Sequence, residues 1–132
     1  MKTLTLCYRN YGKEILFDTI KESIEGKSKI EKDVIYFNDL NSMYKFMSPA
    51  RAELLSVIKN DKPKSIYELS QKIHKDQGYV SKEIKFLNSL GIVDLIPDNS
   101  ESRKKLIPIV KFDRIVFDVG IDDITYSKAS NE

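Results

Sequence analysis

The chain has 132 residues, of which 41% are hydrophobic and 32% charged, with 22 basic against 20 acidic side chains and a net charge of +2. That length suits one ordinary domain with an elaboration and excludes two large ones. The single cysteine, Cys7, excludes an internal disulfide and any cysteine-based zinc site within one chain. No apolar run approaches the ~18 residues of a membrane span, and Met1-Lys-Thr opens no signal-peptide pattern. A soluble cytoplasmic protein with no membrane partner is expected.

Charge is unevenly spread. Residues 1–47 carry 8 basic and 7 acidic groups, 48–111 carry 12 and 8, and 112–132 carry 2 and 5. The middle segment would therefore attract a polyanion, and the tail is acidic.

In chain order, Lys2–Tyr8 alternates as a strand does, with Leu4 and Leu6 on one face and Thr3, Thr5 and Cys7 on the other. Tyr11-Gly12 makes a turn. From Lys13 to about Glu25, Leu16, Ile20 and Ile24 recur at helical spacing. A polar stretch, 26–33, leads to a second short strand, Val34–Phe37. Asn38 or Asp39 then caps a short helix bearing Leu40, Met43, Tyr44 and Met47. Residues 1–47 thus read as a β-α-β-α module for dimer or partner binding.

Ser48-Pro49 opens the next helix with a cap and a proline at its first position, and Leu54, Leu55 and Ile58 point inward. Pro63 disfavours helix before it. Ser65-Ile-Tyr-Glu68 has capping-box spacing, each residue satisfying the other's backbone donor. It opens a short helix ending near His74, with Ile66, Leu69 and Ile73 on one face. Two or three residues later Asp76 caps another helix, in which Val80, Ile84, Leu87 and Leu90 form the buried stripe. Gly91 is its left-handed terminator. Two apolar runs, Ile92–Ile96 and Leu106–Val110, flank the polar loop Pro97–Lys105, whose end is strongly basic. Helix, helix, then a hairpin with a cationic tip is the order of a winged helix-turn-helix, placed at 48–111.

Phe112–Val119 alternates again, Ile115, Phe117 and Val119 against Arg114, Val116 and Asp118, as a strand suited to pair with the N-terminal ones. Residues 121–132 have no clear pattern and are expected to fray. The predicted class is α+β: a winged helix-turn-helix, an N-terminal module, and a C-terminal strand with an acidic tail at 112–132.

The face of the Asp76 helix opposite its stripe carries the candidate site. A helix fits the major groove and presents its first turns to base edges. Gln77 can make the paired amide contact that adenine offers. Lys82 and Lys85 can reach guanine acceptors or phosphates, and Ser81 can meet either. Tyr79 can hydrogen-bond a phosphate or pack on a thymine methyl, and Gly78 keeps the helix start slim. Lys64 and Ser65, at the start of the preceding helix, are placed to meet phosphate. Arg103, Lys104 and Lys105 lie where a wing meets the minor groove or backbone. An exposed basic helix face also arises from solvation alone, and so does a basic loop; position after a helix-turn-helix favours DNA. A protein-interaction module is the alternative.

Catalysis is not expected. His74 sits where a helix C-terminus favours it, Cys7 has no activating base nearby in sequence, and Asp122-Asp123 lies in the tail. No phosphate loop, metal-ligand spacing or cofactor motif is present.

Phe37-Asn-Asp-Leu40, Met47-Ser-Pro-Ala-Arg51-Ala-Glu-Leu-Leu55, Ser65-Ile-Tyr-Glu-Leu69, Asp76–Ile84, Leu87–Val93 and Pro108–Val119 together resemble a family of small prokaryotic winged-helix regulators. Their DNA-binding part is MarR-like. The resemblance implies an antitoxin of a cognate toxin that also represses its own operon. A helix-turn-helix reader of this kind is expected to bind a near-palindromic operator as a homodimer, with the strands at 3–8 and 113–119 as candidates for the dimer surface. Tyr79 stands where that family has a polar residue, often Asn, and Lys82 where it has Arg. A lysine replaces the point charge but not the planar bidentate fork.

Overall fold

Thr3–Tyr8 (β1) is the middle strand of a three-stranded parallel sheet, between Val34–Phe37 (β2) and Arg114–Val119 (β5). The computed structural model describes residues 2–9, 33–100 and 105–124; the predicted helix at 13–25, Arg103, Lys104 and most of the tail lie outside the described residues. The chain divides into two compact units, residues 47–112 in one and residues 3–46 with 113–132 in the other. Helices and strands are both present in quantity, so the class is α+β.

In the sheet unit, Leu6 pairs with Ile35 of β2 and with Phe117 of β5, and Tyr8 pairs with Phe37 and Val119. Side chains in register on parallel neighbours share a face, so these residues form one apolar surface. Leu40–Phe46 (α1) lies against β1 and β2. Its Phe46 ring sits 5.4 Å from Phe37, and Tyr44 sits 5.8 Å from Phe117. Asp39, not Asn38, caps α1: its Oδ2 accepts from the Ser42 N–H at 3.0 Å and from the Ser42 hydroxyl at 2.7 Å. Both bonds hold the Asp39 carboxyl below its ordinary pKa.

Alternation predicts one buried face for β1, yet Leu4, Leu6, Cys7 and Tyr8 are all buried. A central strand of a parallel sheet is covered on both faces, so little of residues 3–8 is left exposed. Residues 121–123, expected to fray, form a single 3-10 turn.

The second unit begins with Pro49–Asp61 (α2), capped by Ser48, whose Oγ accepts from the Arg51 N–H. Leu54, Leu55 and Ile58 are its buried residues. Ile66–Ile73 (α3) and Gln77–Ser89 (α4) follow, then the antiparallel pair Val93–Asp98 (β3) and Lys105–Val110 (β4). Ser65 Oγ accepts from the Glu68 N–H at 3.0 Å, but Glu68 returns no bond to the Ser65 backbone, so only half of the expected box forms. The core is Leu54, Leu55, Ile58, Leu69, Val80, Ile84, Leu87, Ile92 and Val93. Leu90 is half-buried, because it is the C-cap, where the chain is already leaving the helix. No helix among the described residues is long and apolar enough to cross a membrane.

Candidate nucleic-acid interface

The orientation of α4 is fixed at both ends. Asp76 Oδ2 accepts from the Tyr79 N–H at 3.2 Å. A Cβ on Gly78 would meet that same oxygen at 2.9 Å. Glycine at this position therefore leaves room for the cap, a local reason separate from any close approach by a ligand. At the far end Gly91 has φ 81°, and its N–H bonds to Asn88 O while the Ile92 N–H bonds to Leu87 O. This is the Schellman pattern with glycine in the left-handed position. Asn88 Nδ2 then donates to Val93 O at 2.8 Å, tying the helix end to β3.

The turn between α3 and α4 is built the same way. His74 has φ 56°, its N–H reaches Gln71 O and the Lys75 N–H reaches Ser70 O. A histidine here occupies the place glycine usually takes, so its position is explained by backbone geometry rather than by a charge interaction.

With Val80, Ile84 and Leu87 buried, the rest of α4 divides into two sides. One side faces α2. Arg51 Nη2 lies 3.0 Å from Glu83 Oε2 and its Nε 3.2 Å from Oε1. The guanidinium carbon stands 4.7 Å above the Phe86 ring. The Tyr79 hydroxyl donates to Glu83 Oε1 at 3.4 Å, and Tyr79 borders a small cleft of about 100 Å³ with Ala50, Leu54 and Ile73. Tyr79 thus leans toward α2, apart from the lysines.

The other side carries Gln77, Gly78, Lys82 and Lys85, all exposed, with Ser81 half-buried among them. Neither Lys82 nor Lys85 has a carboxylate partner among the described residues. This side is donor-rich and cationic.

Lys64 is exposed just before α3. Ser65 Oγ is committed as acceptor to the α3 cap, which leaves its hydroxyl proton to donate. At the hairpin, Lys105 pairs in register with Asp98 and is half-buried. Asp98 Oδ1 accepts from the Ser100 hydroxyl at 2.6 Å and its N–H at 3.0 Å. Those bonds, with the fields of Lys105 and Lys64, hold the Asp98 carboxyl below its ordinary pKa. Lys105 thus stands at the base of the loop, opposite an anion. The structure brings Gln77, Gly78, Ser81, Lys82 and Lys85 together on one surface, with Tyr79 turned aside.

Sequence reasoning missed the Arg51–Glu83–Phe86 group. Its partners lie 32 positions apart, and no local pattern connects them. Cys7 is buried; burial raises its pKa above the ordinary value, with the Arg9 field opposing.

Residues 46–117 match the family model described as HVO_A0114. That span is more than half of the chain, which therefore belongs to the HVO_A0114 family. No curated protein matches the chain.

Proposed function

We propose that the chain is a sequence-specific double-stranded DNA-binding transcription regulator whose residues 48–111 are a winged helix-turn-helix. In this reading α4 lies in the major groove and the β3–β4 hairpin is the wing. One observation carries it: the outward side of α4 presents Gln77, Ser81, Lys82 and Lys85, with no carboxylate neutralising the lysines among the described residues, immediately after a short turn from α3. Here the one acid on α4, Glu83, is taken by Arg51.

The lysines supply the salt-dependent part of binding, and Gln77 with Ser81 the base-reading part. Lys82 contacts as a point charge, so amide and hydroxyl contacts carry more of the discrimination than they would beside an arginine. Dimerisation on a near-palindrome would set two copies of α4 about 34–36 Å apart. The operon-level role, an antitoxin that represses its own promoter, rests on the resemblance of the sequence to the small winged-helix regulators.

The test is a titration of the promoter DNA upstream of its own gene at several salt concentrations. Replacing both Lys82 and Lys85 by Ala should weaken binding and reduce the log–log salt slope by about 0.9 per lost phosphate contact. Gln77→Ala should relax sequence preference with little change in slope. An unchanged slope and affinity in the double variant refute the reading.

A second reading, a module that holds a partner protein such as a toxin with little DNA binding, draws on the exposed Tyr44, Phe117 and Ile121 of the sheet unit. Retention of a neighbour-encoded protein without retention of DNA at physiological salt would favour it.

A further inference from the structure

We propose that β5 is a self-complementary edge through which two copies of this chain dimerise. The two strands run antiparallel about a two-fold axis through Val116 and join two three-stranded sheets into one. It supplies the contact for the dimer in the proposed function, and rests on that reading only for the expectation that a dimer exists.

Among the described residues the sheet order ends at β5, so one side of that strand has no ladder partner. Such a row of unpaired N–H and C=O groups is a template for another strand. The strand is six residues long and half-open: Phe117 is 42% exposed. β2, at the other edge, has four residues and no charged side chain, so nothing in it selects a register.

The charges on β5 select one. With Val116 opposite its own copy, Ile115 faces the second copy's Phe117 and Arg114 faces the second copy's Asp118. Opposite charges directly across an antiparallel pair stabilise it, and like charges destabilise it. Sliding so that Arg114 meets Arg114, or Asp118 meets Asp118, sets like charges together, and so does an in-register parallel pairing. The pattern thus favours a closed pair over open-ended stacking.

The Asp118 carboxylate has capacity for this contact. Both of its contacts among the described residues, from Arg9 at 3.1 Å and from the Cys7 thiol at 3.8 Å, use Oδ2. Oδ1 remains for the second guanidinium, and the side chain is 47% exposed.

The full chain bearing Val116→Cys provides the test. Residues directly opposite in an antiparallel pair have Cα atoms about 4.5–5.5 Å apart, inside the range a disulfide spans. Mild oxidation should convert this variant to a covalent dimer, and the native chain, whose Cys7 is 4% exposed, should stay uncrosslinked. Separately, Arg114→Asp should raise the dimer dissociation constant by about tenfold through its two symmetry-related pairs, and Arg114→Lys should preserve it. Circular dichroism checks that each variant is folded. A native chain that is monomeric by light scattering, or a dimer that Val116→Cys does not trap, overturns the inference. A monomer that still shifts promoter DNA overturns it and leaves the proposed function standing. A trapped dimer that ignores DNA does the reverse.

Discussion

Arg51 and Arg9 each form an ion pair, and their surroundings give the two pairs different weights. Arg51 and Glu83 are 20% and 15% exposed, with two nitrogens on one carboxylate and an aromatic ring beneath. Removing Glu83 takes away the carboxylate that accepts from two nitrogens of a mostly buried guanidinium. Glu83→Ala should therefore cost about 1.5–3 kcal/mol, the range for hydrogen bonds to charged groups. Arg9 and Asp118 are 35% and 47% exposed, and water screens them. Arg9→Ala should cost less than Glu83→Ala. Denaturant unfolding of both variants checks the contrast; equal losses would mean that burial does not set the strength here. Neither pair could be read from the sequence, because the partners are 32 and 109 positions apart. By contrast Ser48, Asp76 and Gly91 were legible as caps, since a cap acts on a backbone group within three residues of itself.

At the scale of elements, α4 depends on its terminators as much as on its stripe. Gly91 has φ 81°, where a Cβ crowds the following carbonyl at a cost of about 1–2 kcal/mol. Gly91→Ala should destabilise by about that amount and lower the thermal midpoint, while leaving Lys82 and Lys85 in place on the surface. An unchanged midpoint would show that the helix end relaxes without the left-handed residue. His74 already bears a similar strain at the end of α3, a place where periodicity put the helix end correctly but could not reveal the backbone conformation. The described helices, the two hairpin strands and the alternation of residues 114–119 were legible because each pattern is local. The double burial of β1 was not, since alternation of Leu with Thr resembles a one-sided strand until its neighbours are known. The Asp98 carboxylate opposite Lys105 was hidden for the same reason, since hairpin register sets it.

For the whole molecule, the two units are unlike in how the chain visits them. Residues 47–112 form theirs in one pass, whereas the sheet unit takes its strands from both sides of that segment. Ending the chain after Phe112 would remove β5 and leave β1 without one neighbour. Amide exchange should then lose protection at Thr3–Tyr8 and Val34–Phe37, and keep it in α2, α3, α4 and the hairpin. Protection of β1 that survives the truncation would show the pairing to be dispensable.

The parallel neighbours β1 and β5 also impose an order on biosynthesis. A ribosome adds about 5–20 residues per second, so Thr3–Tyr8 emerges well before Arg114–Val119, and the whole helical segment is translated in between. The edge of the earliest strand that faces β5 must wait until the last strand is made, its backbone groups held meanwhile by water or by a chaperone.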